Sequence, residues 1–245
     1  MTPDWSLPAG VQALCSEREG GVSAAPFDTL NLGDHVGDDP AAVAENRRRY
    51  AERLGARPVF LQQVHGCGVV RLTAGTRDAT EADACWTTER GVACTMMVAD
   101  CLPVLLADAQ GSSVGAAHCG WRGLAGGVLE ALCNEMIAAG AQASALRAWL
   151  GPCIGPEAFE VGPEVRAAFT DQDAGAAALF RPHAQGKFLA NLPALARRRL
   201  AAMGIAAVAG NDGSNGWCTV NNPSRFFSHR RDRVSGRFAA SIWRS

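Results

Sequence analysis

Residues 98–124 read VADCLPVLLADAQGSSVGAAHCGWRGL, in which two short apolar runs, PVLLAD (103–108) and SVGAAH (113–118), flank AQGS. The runs have the length and apolar character of buried strands, and Gln110 and Gly111 suit a tight turn, so the pattern predicts an antiparallel hairpin. Paired about that turn, Pro103 lies opposite His118, and Cys101 falls two residues beyond the same end. A thiol and an imidazole therefore converge at one end of a segment otherwise fit for a core. Three readings stay open: a metal, a nucleophile, or a structural pair with no chemistry.

Beyond Gly120 the apolar spacing turns helical through LAGGVLEALCNEMIAAG (124–140), which places His118 at a strand-to-helix junction. Upstream, Asp39 as a cap, Pro40 in the first turn and Gly55 as the stop predict a helix over 40–54. PVFLQQVHG reads as a strand ending near His65, and GVACTMMVA (91–99) as a second one. RAWLGPCIG predicts a strand and turn, and EVRAAF and LANLPALARRRLAAMG predict two helices. FFSHRRDRVSGRFAASIW predicts a final strand pair, and 171–178 a surface excursion. Strands alternating with helices give an α/β or α+β class, and the hairpin argues against a purely parallel sheet. No repeat or long linker divides the chain, so one domain over 1–245 is expected.

The 245 residues carry 23 Lys+Arg against 24 Asp+Glu, a formal charge of -1, with no basic tail. Neither a nucleic acid nor a membrane surface is indicated as partner, which leaves a small molecule. MTPDWSLPAG lacks the features of a secretory signal, so a cytoplasmic protein is expected. The 9 cysteines are odd in number and irregularly spaced, which speaks against a disulfide framework and for small core residues.

Two imidazoles and a thiolate match the three-ligand zinc pattern whose fourth position stays open, and His65, Cys101 and His118 are the candidates. The same thiol could instead be a nucleophile activated by His118 and oriented by a carboxylate such as Asp100. Copper is a third possibility, with Met96 or Met97 as a weak ligand, but 5 histidines are too few for a multicopper centre. Of Arg47, Arg48 and Arg49, at most one or two can face a pocket, whereas Arg122, Arg230 and Arg231 lie in turns suited to an oxyanion. GPCIGPEAFEVG (151–162) lacks the spacing of a phosphate-binding loop, and Cys153 reads as packing.

The segments LNLGDHVGDDP, ENRRR, LQQVHG, ADCLPVLLAD, AAHCGWRGL, LGPCIGPEAFEVG and FFSHRRDRVSGR, in that order, resemble the landmarks of the YfiH-like laccase-domain proteins. The resemblance extends from about Glu19 to Trp243 and implies a layered α/β/β/α domain with mixed sheets. It also implies a zinc held by His65, Cys101 and His118. The implied activities are phosphorolysis of adenosine, inosine, guanosine and S-methyl-5'-thioadenosine, with adenosine deamination as a side reaction. The partners are then purine nucleosides and phosphate, with Arg47 of ENRRR as candidate phosphate clamp. Older family labels imply copper-dependent polyphenol oxidation, and some bacterial members are linked to peptidoglycan editing. Two positions depart from the family pattern. Cys119 stands where alanine is usual and, next to His118 on a strand, is expected to face the other way; His229 stands where tyrosine is usual.

Overall fold

The computed structural model describes all 245 residues. Two mixed sheets lie face to face. The first has the order β1 (Val11–Cys15), β13 (Phe238–Arg244), β5 (Val92–Val98), β2 (Arg57–Phe60), with only the β2–β5 pair parallel. The second runs β12 (Ala207–Gly210), β8 (Leu146–Leu150), β6 (Leu102–Asp108), β7 (Val114–Cys119), β4 (Ala84–Thr87), β3 (Val69–Arg71). A small antiparallel sheet, β10 (Phe180–Pro182), β11 (Phe188–Ala190) and β9 (Glu160–Val161), stands apart from both.

The hairpin forms as predicted, with Pro103 paired to His118 and Leu102 to Cys119. Asp108 closes its loop by accepting the N–H groups of Gln110 and Ser112, both at 3.0 Å, and Gly111 adopts φ 69° there. Side chains alternate across the strands. Leu105, Ala107, Val114 and Ala116 face the first sheet, where they meet Met96 and Ile242. Leu106, Ala117 and Cys119 face away, against the helices. Cys119 thus lies on the face opposite His118, as expected.

Helices cover both outer faces and complete an α/β/β/α stack. On the first sheet lies α1 (Pro40–Leu54), with Asp39 accepting the Ala41 N–H at 3.0 Å and Gly55 ending the helix at φ 64°. Its inner face presents Val43, Asn46, Tyr50 and Leu54, and the Tyr50 hydroxyl is satisfied at 2.8 Å from Ser241 Oγ. Against the second sheet pack α3 (Val128–Ala138) and α5 (Leu192–Ala202), with α2 (Trp121–Gly126) and α4 (Pro163–Thr170) beside them. No helix is long and apolar enough to cross a membrane.

Four expectations are corrected. The helix after Gly120 is two helices, because Gly127 turns left-handed at φ 98°. The strand of PVFLQQVHG stops at Phe60, since the chain curls around Asp83 before His65. The terminal strand pair is one strand, β13, preceded by the short helix α6 (His229–Asp232), which Ser228 caps by accepting the Arg231 N–H at 3.2 Å. The excursion at 171–178 contains a 3₁₀ turn from Ala174 to Leu179 that buries Ala176.

Leu105 is fully buried between the sheets. Replacing it by alanine leaves a cavity that neighbouring strands cannot close, and Leu105→Ala is expected to lower the unfolding free energy by about 2–5 kcal/mol. Urea unfolding measures this, and a loss under about 1 kcal/mol would contradict a packed inter-sheet layer.

Candidate metal centre and its cavity

The donor atoms of His65, Cys101 and His118 all lie within 4.8 Å of one another. His118 is buried at the end of β7, Cys101 is half-buried just before β6, and His65 is exposed in the turn after β2. Cys101 Sγ is 3.8 Å from His65 Nε2, and the two imidazole rings meet edge to face with centroids 4.7 Å apart. A tetrahedral ion with zinc-like bond lengths separates a thiolate sulfur and an imidazole nitrogen by about 3.5 Å, so the trio fits one ion with little adjustment. A Cβ on Gly120 would lie 3.0 Å from both Cys101 Sγ and His65 Cδ2, so only glycine leaves the donors clear.

One buried carboxylate, Asp83, arranges the set. It accepts the N–H groups of Val64, His65 and Gly66 at 3.1, 2.9 and 2.7 Å, wrapping the turn around itself. This holds His65 in the left-handed region at φ 62°, a conformation that costs a non-glycine residue about 1–3 kcal/mol without such support. The His118 Nδ1–H donates to Asp83 Oδ1 at 2.8 Å, which fixes the tautomer and leaves Nε2 for a thiolate or a metal. The carboxylate orienting His118 is therefore Asp83, not Asp100. Asp100, at φ 96°, accepts Thr219 Oγ1–H and the Arg230 N–H, each at 2.6 Å, and so ties α6 to the site.

Electrostatics of the metal-free trio are those of an ion pair. Burial opposes ionisation of Cys101, but the His118 charge and hydrogen bonds from both histidines outweigh it and bring the thiol down to about 6. Burial likewise disfavours charged His118, but the Cys101 thiolate and the Asp83 carboxylate outweigh it and raise the imidazole to about 9. Burial pushes Asp83 up, yet its bonds from His118, Gly66 and His65 hold it below the usual carboxylate range. A thiolate is a metal ligand or a nucleophile. The second imidazole, which a dyad does not require, favours the metal.

The trio opens onto a cavity of about 840 Å³. Ile154, Phe159 and Leu192 give it an apolar wall, and Arg47, Arg230, Arg233 and Arg237 a basic one. Arg47 reaches it from α1, its Nε–H donating to Leu32 O at 2.9 Å and its Nη2 lying 3.1 Å from Asp34 Oδ1. Arg48 and Arg49 instead pair with Glu45 on the solvent side. Arg122 stacks on Trp121 at 4.5 Å, and the Arg231 guanidinium donates to backbone carbonyls of 219, 220 and 226, so neither lines the cavity. His35 and His229 do line it, whereas His183 sits near Glu160. Cys153 is buried packing, as expected. Asp83 and Arg237 are the site residues that sequence patterns do not reveal.

Comparison with known proteins places the chain in a family. A Pseudomonas aeruginosa protein named purine nucleoside phosphorylase is 53% identical over 99% of this chain and 97% of its own. Escherichia coli YfiH, also named purine nucleoside phosphorylase, is 48% identical over 99% of this chain and 98% of its own. A crystal structure from Neisseria meningitidis superposes with a TM-score of 0.94 at 44% identity, covering 100% of this chain and 98% of that one. YlmD of Geobacillus stearothermophilus gives 0.89 at 32% identity, over 96% and 92%. The family model described as multi-copper polyphenol oxidoreductase laccase matches residues 12–245, and the chain belongs to that family.

Proposed function

We propose that the chain is a cytoplasmic, zinc-dependent purine nucleoside phosphorylase working as one domain over 1–245. Its substrates on this reading are adenosine, inosine, guanosine and S-methyl-5'-thioadenosine, with adenosine deamination as a side reaction. The observation that carries it is the convergence of the His65, Cys101 and His118 donors on a cavity with an apolar and a basic wall. The names of the relatives, at about half identity over nearly the whole chain, support the same reaction.

In phosphorolysis a phosphate oxygen bonds to the anomeric carbon while the bond from that carbon to the purine nitrogen breaks. The purine leaves with the electron pair and is protonated. The site must therefore hold an oxyanion beside a sugar that becomes cationic, and must exclude water that would compete for the same carbon. Arg47 is suited to bind the oxyanion, since its guanidinium is fixed by Leu32 O and Asp34. The apolar wall of Ile154, Phe159 and Leu192 can cover the base and keep water out. Asp83 holds the proton on His118 Nδ1, so Nε2 stays a donor to the metal. A zinc ion at the three donors supplies Lewis acidity to a substrate oxygen in phosphorolysis, or to water in deamination.

A second reading, oxidation of phenols at copper, is favoured by the family description and by a two-imidazole, one-thiolate set that copper also accepts. Against a multicopper centre, only His65 and His118 of the 5 histidines join the donor cluster.

Two outcomes test the proposal. Zinc-loaded protein given phosphate and adenosine is expected to release adenine and ribose 1-phosphate, and Cys101→Ala to lower kcat/KM at least about a hundredfold; unchanged turnover in the variant would sink the zinc role. In metal-free protein, a thiol depressed to about 6 is thiolate above that pH and loses its charge as pH falls through it. Iodoacetamide should therefore alkylate Cys101 rapidly at neutral pH and slowly below about 5, with zinc protecting it. A midpoint near the ordinary thiol value would show that no imidazolium faces the sulfur.

A further inference from the structure

Two arginines far apart in sequence meet on one loop of the cavity wall. Residues 31–34 are pinned from below by Asn46, a fully buried α1 side chain whose Nδ2 lies 2.9 Å from Asn31 O and 3.1 Å from Thr29 O. The pinned loop takes Arg47 by Leu32 O and Asp34, and Arg237 by Asn31 Oδ1, which accepts the Arg237 N–H at 2.8 Å. Gly33 lets the Arg237 stem pass: a Cβ there would lie 2.8 Å from Arg237 Cγ and 3.2 Å from its Cβ. Gly33 does not have a positive φ, so clearance and not backbone freedom calls for glycine at this position.

The guanidiniums of the basic wall are not equally committed, and that of Arg233, without a partner in the chain, is exposed, where water satisfies it. That of Arg230 donates to Ala158 O and Glu160 O, and Arg47 shares Nη2 with Asp34. Arg237 is half-buried and gives only Nη1, to Ser235 O at 2.8 Å and Gly236 O at 3.0 Å. Its Nε and Nη2 have no partner in the chain, and no carboxylate stands within ion-pair distance. A cation removed from water without a counter-charge is costly, and an anionic ligand is what offsets that cost. The fork of Nε and Nη2 matches two oxygens of a tetrahedral oxyanion.

We infer that Arg237 is the principal anchor of an oxyanion subsite, completed by Arg47 across the 31–34 loop, and that it seats inorganic phosphate. That the oxyanion is phosphate, the co-substrate, rests on the proposed phosphorolysis; that an oxyanion binds there rests on the two uncommitted donors alone. Arg237 lines the same cavity as His65, Cys101 and His118, so the subsite shares its space with the metal donors.

The test compares zinc-loaded wild type with Arg237→Met, which keeps the apolar stem, and with Gly33→Ala, which keeps the arginine but presses on its stem. Steady-state kinetics with adenosine and varied phosphate give one readout, and calorimetric binding of inorganic phosphate the other. Arg237→Met is expected to raise the phosphate KM at least about tenfold with the adenosine KM within about twofold, and to abolish measurable phosphate binding. Gly33→Ala is expected to raise the phosphate KM at least about threefold, and it decides the matter should Arg237→Met fail to fold. Phosphate binding lost in the variant, in a protein that phosphorolyses no purine nucleoside, would support the subsite while overturning the proposed reaction. Phosphorolysis in which both variants keep the wild-type phosphate KM would overturn the subsite and leave the reaction standing.

Discussion

A single buried carboxylate carries the geometry of the site. Asp83 accepts three consecutive backbone N–H groups from residues 64–66 and the Nδ1–H of His118, so one side chain sets the backbone of one histidine and the ring of the other. Its own backbone is engaged as well, the carbonyl accepting the His118 N–H at 2.7 Å and the amide donating to Gly68 O at 3.0 Å. Removing any of these donors would leave the buried carboxylate partly unsatisfied, at a cost of about 1–3 kcal/mol. The turn at His65, the orientation of His118 and the negative charge beneath the donors are therefore one feature.

The sandwich determines where that feature can open to substrate. The β6–β7 hairpin sends Cys101 and His118 to the end of the inter-sheet layer, and the loops after β2 and before β13 close around them. Asp100 then ties the C-terminal segment to the same place through Thr219 and the Arg230 amide. Residues from both ends of the chain thus reach one cavity. Helix α1, α6 and the segment after α6 supply its cations, packed against the loop at 31–34, while the middle of the chain supplies its metal donors.

Much of this was legible in the sequence where local pattern and structure share a cause. The hairpin register followed from alternation about a turn, and α1 from its cap, proline and stop. Donor types identified His65, Cys101 and His118, but a strand was expected to run to His65. It stops at Phe60 because a carboxylate eighteen positions further on curls the intervening turn, and carboxylate-to-amide bonds leave no mark in a sequence. Arg237 was hidden for a similar reason, since its meaning depends on a glycine at position 33. The split at Gly127 is not legible in the sequence, because a pair of glycines within apolar helical spacing does not by itself distinguish a weak helix from a break. FFSHRR looked like a strand because Phe226 and Phe227 are apolar, yet they are buried in the inter-sheet core from a loop.

On the proposed reading, Asp83 and the hairpin register assemble one metal site of two imidazoles and one thiolate. X-ray absorption at the zinc edge of the purified protein tests it most directly. The expected result is one zinc per chain with a single sulfur at about 2.3 Å and two imidazole nitrogens at about 2.0–2.1 Å. A zinc shell of nitrogen and oxygen alone, with no sulfur, would contradict it.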